Sequence, residues 1–209
     1  MKVAAIIPAY NEEKTVAEVI NVVKQVSLVN EVIVVSDGST DATASIALNK
    51  GATVVELEQN VGKGGAMMAG LGRTNAEVVL FLDADLIGLT QRHIYDLLAP
   101  VLNQEAEMSI GIFEGGRVAT NFAQKIAPFL SGQRAMRREI LENISYLDLT
   151  GFGVEIALTN YVEETKATVK EVVLQDMTHV MKEEKLGLVK GFVARMKMYW
   201  EIAKYVKKG

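Results

Sequence analysis

Four times within the first 86 residues a short apolar run gives way to a segment whose apolar residues recur at helical spacing, and this alternation constrains the fold more than any other feature. Residues 2–7, 31–36, 53–57 and 78–82 are too short for buried helices and rich in Val, Ile and Leu, as strands covered on both faces are. After the first run, Val16, Val19, Ile20 and Val23 line one helix face. Residues 42–50 read as a second helix, capped by Asp41 and ended by Gly51, and residues 66–71 as a third. Such alternation builds βαβ units with right-handed crossovers, and so predicts an α/β fold with a Rossmann-like, mostly parallel sheet flanked by helices. Pro8 is expected to stop the first strand, and Asn11-Glu12-Glu13 to start the first helix with acids in its first turn.

The fourth run, Val78 to Leu82, ends in Asp83-Ala84-Asp85. In a twisted parallel sheet, ligands bind beyond the carboxyl ends of the strands, and residues two apart on extended chain share one side. Two carboxylates so placed repel each other unless a cation lies nearby, and hard oxygen ligands suit magnesium or manganese with a diphosphate. The competing reading is that they only cap the following helix. Ahead of the run, Asn60-Val61-Gly62-Lys63-Gly64-Gly65-Ala66 is either a turn leading into a helix or a loop that sets backbone N–H groups and Lys63 against phosphate. It matches neither the Walker loop nor the dinucleotide fingerprint.

The second half continues with a helix over residues 90–98 ended before Pro100, a strand over 108–113 and a glycine-rich basic segment, Glu114-Gly115-Gly116-Arg117-Val118. That segment reads as a surface turn with a solvated arginine, or as backbone able to approach a phosphate that a forked guanidinium then holds. Further helices are expected over 121–130, 138–143 and 154–163, with strands over 133–137 and 168–174. His93 sits within an ordinary helix, and His179 in Asp176-Met177-Thr178-His179 has no local ligand spacing, so from these residues alone both read as structural or exposed rather than as metal ligands.

The chain has no cysteine, which excludes disulfides and thiolate metal sites and suits a reducing cytoplasm. Its apolar start is too short, and too soon broken by Pro8, for a secretory signal, and no stretch approaches a membrane span. The net charge of −4 combines +6 over residues 185–209 with −10 elsewhere, which argues against a nucleic-acid binder. In the basic tail Phe192, Met196, Tyr199, Ala203 and Val206 fall on one face and Lys197, Lys204 and Lys208 on another, an amphipathic helix suited to packing on the domain, on a second subunit as a homodimer, or on anionic lipid at the inner face of a membrane.

Ile7-Pro8-Ala9-Tyr10-Asn11-Glu12-Glu13, Val35-Ser36-Asp37-Gly38-Ser39-Thr40-Asp41, Gly62-Lys63-Gly64-Gly65-Ala66 and Asp83-Ala84-Asp85, in this order and spacing, resemble a family-two-type glycosyltransferase of the GT-A fold. A sugar nucleotidyltransferase would begin with a glycine-rich arginine loop instead. Gly115-Gly116-Arg117-Val118, the segment Ser131-Gly132-Gln133-Arg134-Ala135-Met136-Arg137-Arg138-Glu139, Gly151-Phe152-Gly153-Val154-Glu155-Ile156 and His179 narrow the resemblance to glucosyl-3-phosphoglycerate synthases, over about residues 3–187.

The resemblance implies one domain over residues 1–187, with a nucleotide-sugar-binding half (1–86) and an acceptor half (87–187), followed by the basic helix 188–209. It implies that Pro8, Ala9, Tyr10, Glu12 and Asp37 hold the uridine, that Gly62, Lys63, Asp83, Ala84 and Asp85 meet the donor phosphates and sugar, and that Asp85 and His179 bind Mn2+ or Mg2+. Gly115, Gly116, Arg117 and Val118 would hold the acceptor phosphate, and Glu155 would lie near the reacting bond, with Asp85, Lys63 and Glu155 as the catalytic set. Ala119 departs from the pattern, which has a threonine there for the acceptor carboxylate. The implied activity is metal-dependent transfer of a hexose, glucose in the synthases, from a nucleotide-diphosphate sugar to a phosphate-bearing acceptor with retention. The rivals are transfer to a polyprenyl phosphate at a membrane surface and a catalytically silent nucleotide-sugar binder.

Overall fold

The computed structural model describes residues 1–113, 131–144 and 153–179. The chain forms two compact units, Met1–Met177 and Thr178–Gly209. In the first, strands β1 (Val3–Ala9), β2 (Glu31–Asp37), β3 (Thr53–Leu57) and β4 (Val78–Phe81) alternate with helices α1 (Val16–Lys24), α2 (Thr43–Asn49) and α3 (Gly62–Leu71). There follow β5 (Leu86–Ile87), α4 (Gln91–Leu102), β6 (Met108–Phe113), β7 (Arg134–Arg137), α5 (Arg138–Glu142), α6 (Gly153–Thr165) and β8 (Val169–Leu174). In the second unit the described residues are Thr178 and His179, which form the two-residue strand β9.

Among the described residues seven strands make one sheet in the order β3-β2-β1-β4-β7-β6-β8, all parallel except β7, which runs antiparallel to both neighbours. Its faces follow the two-residue side-chain period. Val3, Ala5 and Ile7 of β1 pack in a core with Val16, Val19, Ile20 and Val23 of α1 and Ile94, Leu97, Leu98 and Val101 of α4. Ala4 and Ile6 pack in another with Ala66, Met67 and Leu71 of α3, Ile140 and Leu141 of α5, and Val154 and Leu158 of α6. Every residue of β4 is at most 1% exposed, which accounts for its unbroken apolar sequence.

Four local expectations are corrected. β1 does not stop at Pro8 but runs through it to Ala9. The Leu82 amide donates to the Ile6 carbonyl, so even-numbered residues of β1 turn their amides toward β4. β4 pairs with β1 only as far as Ile6, so the N–H that Pro8 lacks has no ladder partner to lose. The first helix begins at Val16 rather than at the acids, because the amides of residues 11–13 are committed to another loop. Similarly, α4 continues past Pro100 to Leu102, held by fully buried Leu97, Leu98 and Val101. The glycine segment also forms the first turn of α3 itself instead of a loop ahead of it. The expected helices over 121–130 and in the basic tail lie outside the described residues.

Candidate active site

The strand order reverses at β1: the chain adds β2 and β3 on one side, then crosses to add β4 on the other. The crevice at such a switch point, outside the carboxyl ends of β1 and β4, is where open α/β sheets bind ligands. Pro8, Ala9 and Tyr10 stand at the end of β1, Asp37 at the end of β2, and Asp83, Ala84 and Asp85 just past β4. Gly62 and Lys63 open α3, and because β7 is antiparallel its amino end, with Ser131, Gly132 and Gln133, reaches the same edge beside Phe81.

The rim beside β1 is built from two interlocked loops. The amides of Asn11, Glu12 and Glu13 donate to Ser39 Oγ (3.1 Å), Thr43 Oγ1 (2.8 Å) and Asp41 Oδ2 (3.1 Å). In return the Thr40 amide donates to Asn11 Oδ1 (2.8 Å) and the Ala42 amide to Glu13 Oε2 (3.2 Å). Asn11, with φ of 55°, takes the left-handed turn that this exchange needs, a conformation asparagine tolerates well. Asp41 also accepts from the Thr43 amide (2.9 Å) and hydroxyl (2.5 Å), so it caps α2 from one residue outside it. Burial pushes the Asp41 carboxyl up, but these hydrogen bonds outweigh it and hold the group below its ordinary range. Tyr10 stays half-exposed above the rim.

Asp37 is 3% exposed, and its two oxygens accept from the amides of Val61 (2.8 Å) and Gly62 (2.9 Å). A carboxylate on the first amides of a helix satisfies donors that have no intrahelical partner and complements the macrodipole. It therefore fixes the start of α3, where Lys63 is the next residue. Each oxygen keeps a second lone pair for a ligand.

Lys63 Nζ lies 2.8 Å from Asp83 Oδ1, and Gln133 Nε2 donates to Asp83 Oδ2 at 2.8 Å. Leu82, Ala84 and Leu86 are buried while Asp83 and Asp85 are half-buried, although β4 ends at Phe81 and Ala84 and Asp85 form a turn rather than the extended chain expected. Asp83 already has a cation and an amide on its oxygens. The hard oxygens of Asp85 next to this neutralised neighbour fit a divalent cation, with a diphosphate supplying further oxygens. Among the described residues no group of three or more His, Asp or Glu side chains forms a ready-made metal cage.

Past Asp85 the chain is pinned by close packing. Gly88 has φ of 78°, and a Cβ there would lie 2.4 Å from the carbonyl oxygen of Asp176. The turn after the acids thus presses on the turn after β8, three residues before His179. His179 itself is in the second unit, and its side chain lies outside the described residues. Glu155 is in the first turn of α6, with its side chain likewise not described, and Gly115, Gly116, Arg117 and Val118 are outside the described residues, beyond the end of β6. His93 has a structural role: its Nδ1 accepts from the Thr90 amide (3.2 Å) and its own amide donates to Thr90 Oγ1 (3.4 Å), a capping box at the start of α4.

A profile of the family described as "Glycosyl transferase family 2" matches residues 4–158. The chain belongs to this family. A glucosyl-3-phosphoglycerate synthase of Mycobacterium tuberculosis is 31% identical over 193 residues, covering 75% of this chain and 59% of the relative, so the chain spans about three-fifths of the length of that synthase. The crystal structure of the M. tuberculosis synthase with Mn2+, UDP-glucose and phosphoglyceric acid superposes with a TM-score of 0.75 at 32% identity, over 86% of this chain and 71% of that one. A dolichyl-phosphate beta-glucosyltransferase of Drosophila melanogaster is 38% identical over 122 residues, which cover 51% of this chain and 37% of that protein. The GT-A architecture expected from the motifs is therefore the architecture of this family-2 chain.

Gln133, Ser131 and Gly132 are site residues to which the sequence reading gave no role. A lone glutamine before an apolar strand carries no spacing signal, and only the antiparallel placement of β7 brings it to Asp83.

Proposed function

We propose that the protein is a divalent-metal-dependent glycosyltransferase that moves glucose from UDP-glucose to a small acceptor bearing a phosphate, such as phosphoglycerate. The observation that carries this reading is the Lys63–Asp83–Gln133 group beside Asp85 at the β1/β4 crevice: a positioned ammonium and a carboxylate suited to a metal, both where a departing diphosphate would need charge neutralised. The likeness to the M. tuberculosis synthase supports the choice of donor and acceptor.

In this reading Pro8 to Tyr10, Glu12 and Asp37 receive the nucleoside. Lys63, oriented by Asp83 and by the Asp37-capped start of α3, presents its charge to the diphosphate. Asp85 and His179 would hold Mn2+ or Mg2+, which supplies Lewis-acid neutralisation of the leaving group when bound. Arg117 with Gly115, Gly116 and Val118 grips the acceptor phosphate, and Glu155 lies by the reacting bond. The acceptor hydroxyl oxygen forms the new bond to the anomeric carbon on the face from which UDP departs, and its proton passes to the departing phosphate oxygen, giving retention. The site would work in the cytoplasm.

Transfer to a polyprenyl phosphate is the second reading, favoured by the similarity to the dolichyl-phosphate enzyme. A turnover screen with UDP-glucose and manganese against 3-phosphoglycerate, glycerol 3-phosphate and a polyprenyl phosphate separates the two. Transfer to a water-soluble phosphate, abolished by excess EDTA and retaining configuration by product NMR, is expected. Turnover on the polyprenyl phosphate alone would favour the second reading, and UDP-glucose binding without turnover on any acceptor would mark a silent sensor.

A further inference from the structure

We propose that the Ser131–Gly132–Gln133 segment is a clamp that positions the Lys63–Asp83 pair, with Gln133 as a positioning residue acting through Asp83. This rests on the donor-site reading given above and adds to it what keeps Lys63 in place.

Gln133 is 1% exposed, so its side chain has no solvent alternative to the protein partners it finds. Its Nε2 donates to Asp83 Oδ2 at 2.8 Å, and its Oε1 accepts from the Ser131 hydroxyl at 3.1 Å, which fixes the orientation of the amide. Ser131 Oγ also accepts from the Gln133 amide at 3.3 Å. The turn is pinned from behind by Arg134, itself 1% exposed, whose Nε donates to the Ser131 carbonyl at 3.1 Å and whose Nη2 donates to the same oxygen. The Gln133 carbonyl accepts from the Gly111 amide at 2.8 Å, which ties the segment to β6.

Gly132 supplies an independent observation. A Cβ there would lie 2.4 Å from Lys63 Nζ and 2.4 and 2.6 Å from the two Asp83 oxygens. The backbone is thus pressed against the ion pair on one side while Gln133 grips it from another. With Oδ2 held by the amide, Oδ1 is left aimed at Lys63. A side chain with four rotatable bonds is thereby restricted to one region, which lowers the ordering cost when a diphosphate binds. A neutral carboxamide suits this role, because it donates to Asp83 without competing for the lysine as a second carboxylate would.

The test uses the full-length protein with UDP-glucose and Mn2+, read both by calorimetric affinity and by turnover. Gln133→Met keeps the length of the side chain and removes the donor. Gly132→Ala intrudes on the side-chain ends of Lys63 and Asp83 and not on backbone, so folding is expected to survive. Each variant should keep a cooperative melt and lose roughly tenfold or more in donor affinity or kcat, with the acceptor KM little changed. Gln133→Met made in a Lys63→Ala background should cost less than threefold further, because its effect runs through the lysine. Losses that multiply in the double variant, or a Gly132→Ala protein with wild-type donor affinity, would overturn the clamp while leaving the glycosyltransferase reading intact. Failure of the wild-type protein to bind UDP-glucose at all would overturn both.

Discussion

At the scale of single residues, the rim of the site depends on a carboxylate that hydrogen bonds hold ionised. The Asp41 group lies below its ordinary value because the Thr43 hydroxyl and amide and the Glu13 amide together outweigh its burial. A depressed folded-state pKa contributes stability that is fully present above the unfolded value of about 3.9 and is lost as pH falls through the folded value. The stability gap between wild type and Asp41→Asn, measured by urea unfolding, should therefore be constant from pH 7 to about 5 and close in acid. A gap independent of pH down to 2 would show that Asp41 gains nothing from its charge. For the proposed acceptor site the residues to test are Arg117 and Ala119. Arg117→Ala should lower kcat/KM for a phosphate-bearing acceptor by roughly ten- to a hundredfold, the loss of a charge-assisted pair, with UDP affinity little changed. Ala119→Thr should shift preference from glycerol 3-phosphate toward 3-phosphoglycerate, because it restores a hydroxyl for the carboxylate. Competition between the two acceptors in one assay reads this directly, and an unchanged ratio would remove residue 119 from the acceptor site.

At the scale of elements, α4 shows which interactions set stability. Leu97 is fully buried against the sheet and its carbonyl accepts from Ser109 Oγ of β6 at 2.5 Å, whereas Arg92 pairs with Asp96 on a face where the arginine side chain is 82% exposed. Leu97→Ala should cost about 2–5 kcal/mol by cavity formation, and Arg92→Ala under about 0.5 kcal/mol. Denaturant titration of both variants checks the contrast, and a similar cost for each would mean that α4 is not packed as described. The same element shows what the sequence made legible. A helix over residues 90–98 was expected to end before Pro100, yet Ile94, Leu97, Leu98 and Val101 form one buried stripe that runs past it. Burial of Val101 overrode that local rule. Likewise the strand content of β1 was clear but its length was not, because whether Pro8 interrupts a ladder depends on where the neighbouring strand stops, which is a property of β4 and not of residues near Pro8.

At the scale of the whole molecule, the alternation of strands and helices was readable because each βαβ unit is local, while the order β4-β7-β6-β8 was not, because it joins segments tens of residues apart. That order creates the site's second wall: β7 brings Gln133 to Asp83, and the chain leaving β8 meets the chain leaving β4 where Gly88 touches Asp176. The course of the chain leaving Asp85, the proposed metal ligand, depends on this meeting, since Asp85 stands three residues before Gly88. Gly88→Ala would place a Cβ 2.4 Å from a backbone carbonyl and a non-glycine residue at φ of 78°, so the two turns must separate. The left-handed conformation alone costs about 1–2 kcal/mol. Gly72, at φ of −65° with ordinary 3.6 Å contacts around a built Cβ, is the control, and Gly72→Ala should be neutral or stabilising by about 0.4–1 kcal/mol. Manganese affinity in the presence of UDP, followed by electron paramagnetic resonance, should fall at least tenfold in Gly88→Ala and be essentially lost in Asp85→Ala and His179→Ala, while Gly72→Ala binds as wild type. A Gly88→Ala protein that melts lower but binds manganese normally would show that the metal does not depend on these two turns. Normal binding by His179→Ala would remove the histidine from the ligand set and leave Asp85 with the diphosphate oxygens to hold the ion.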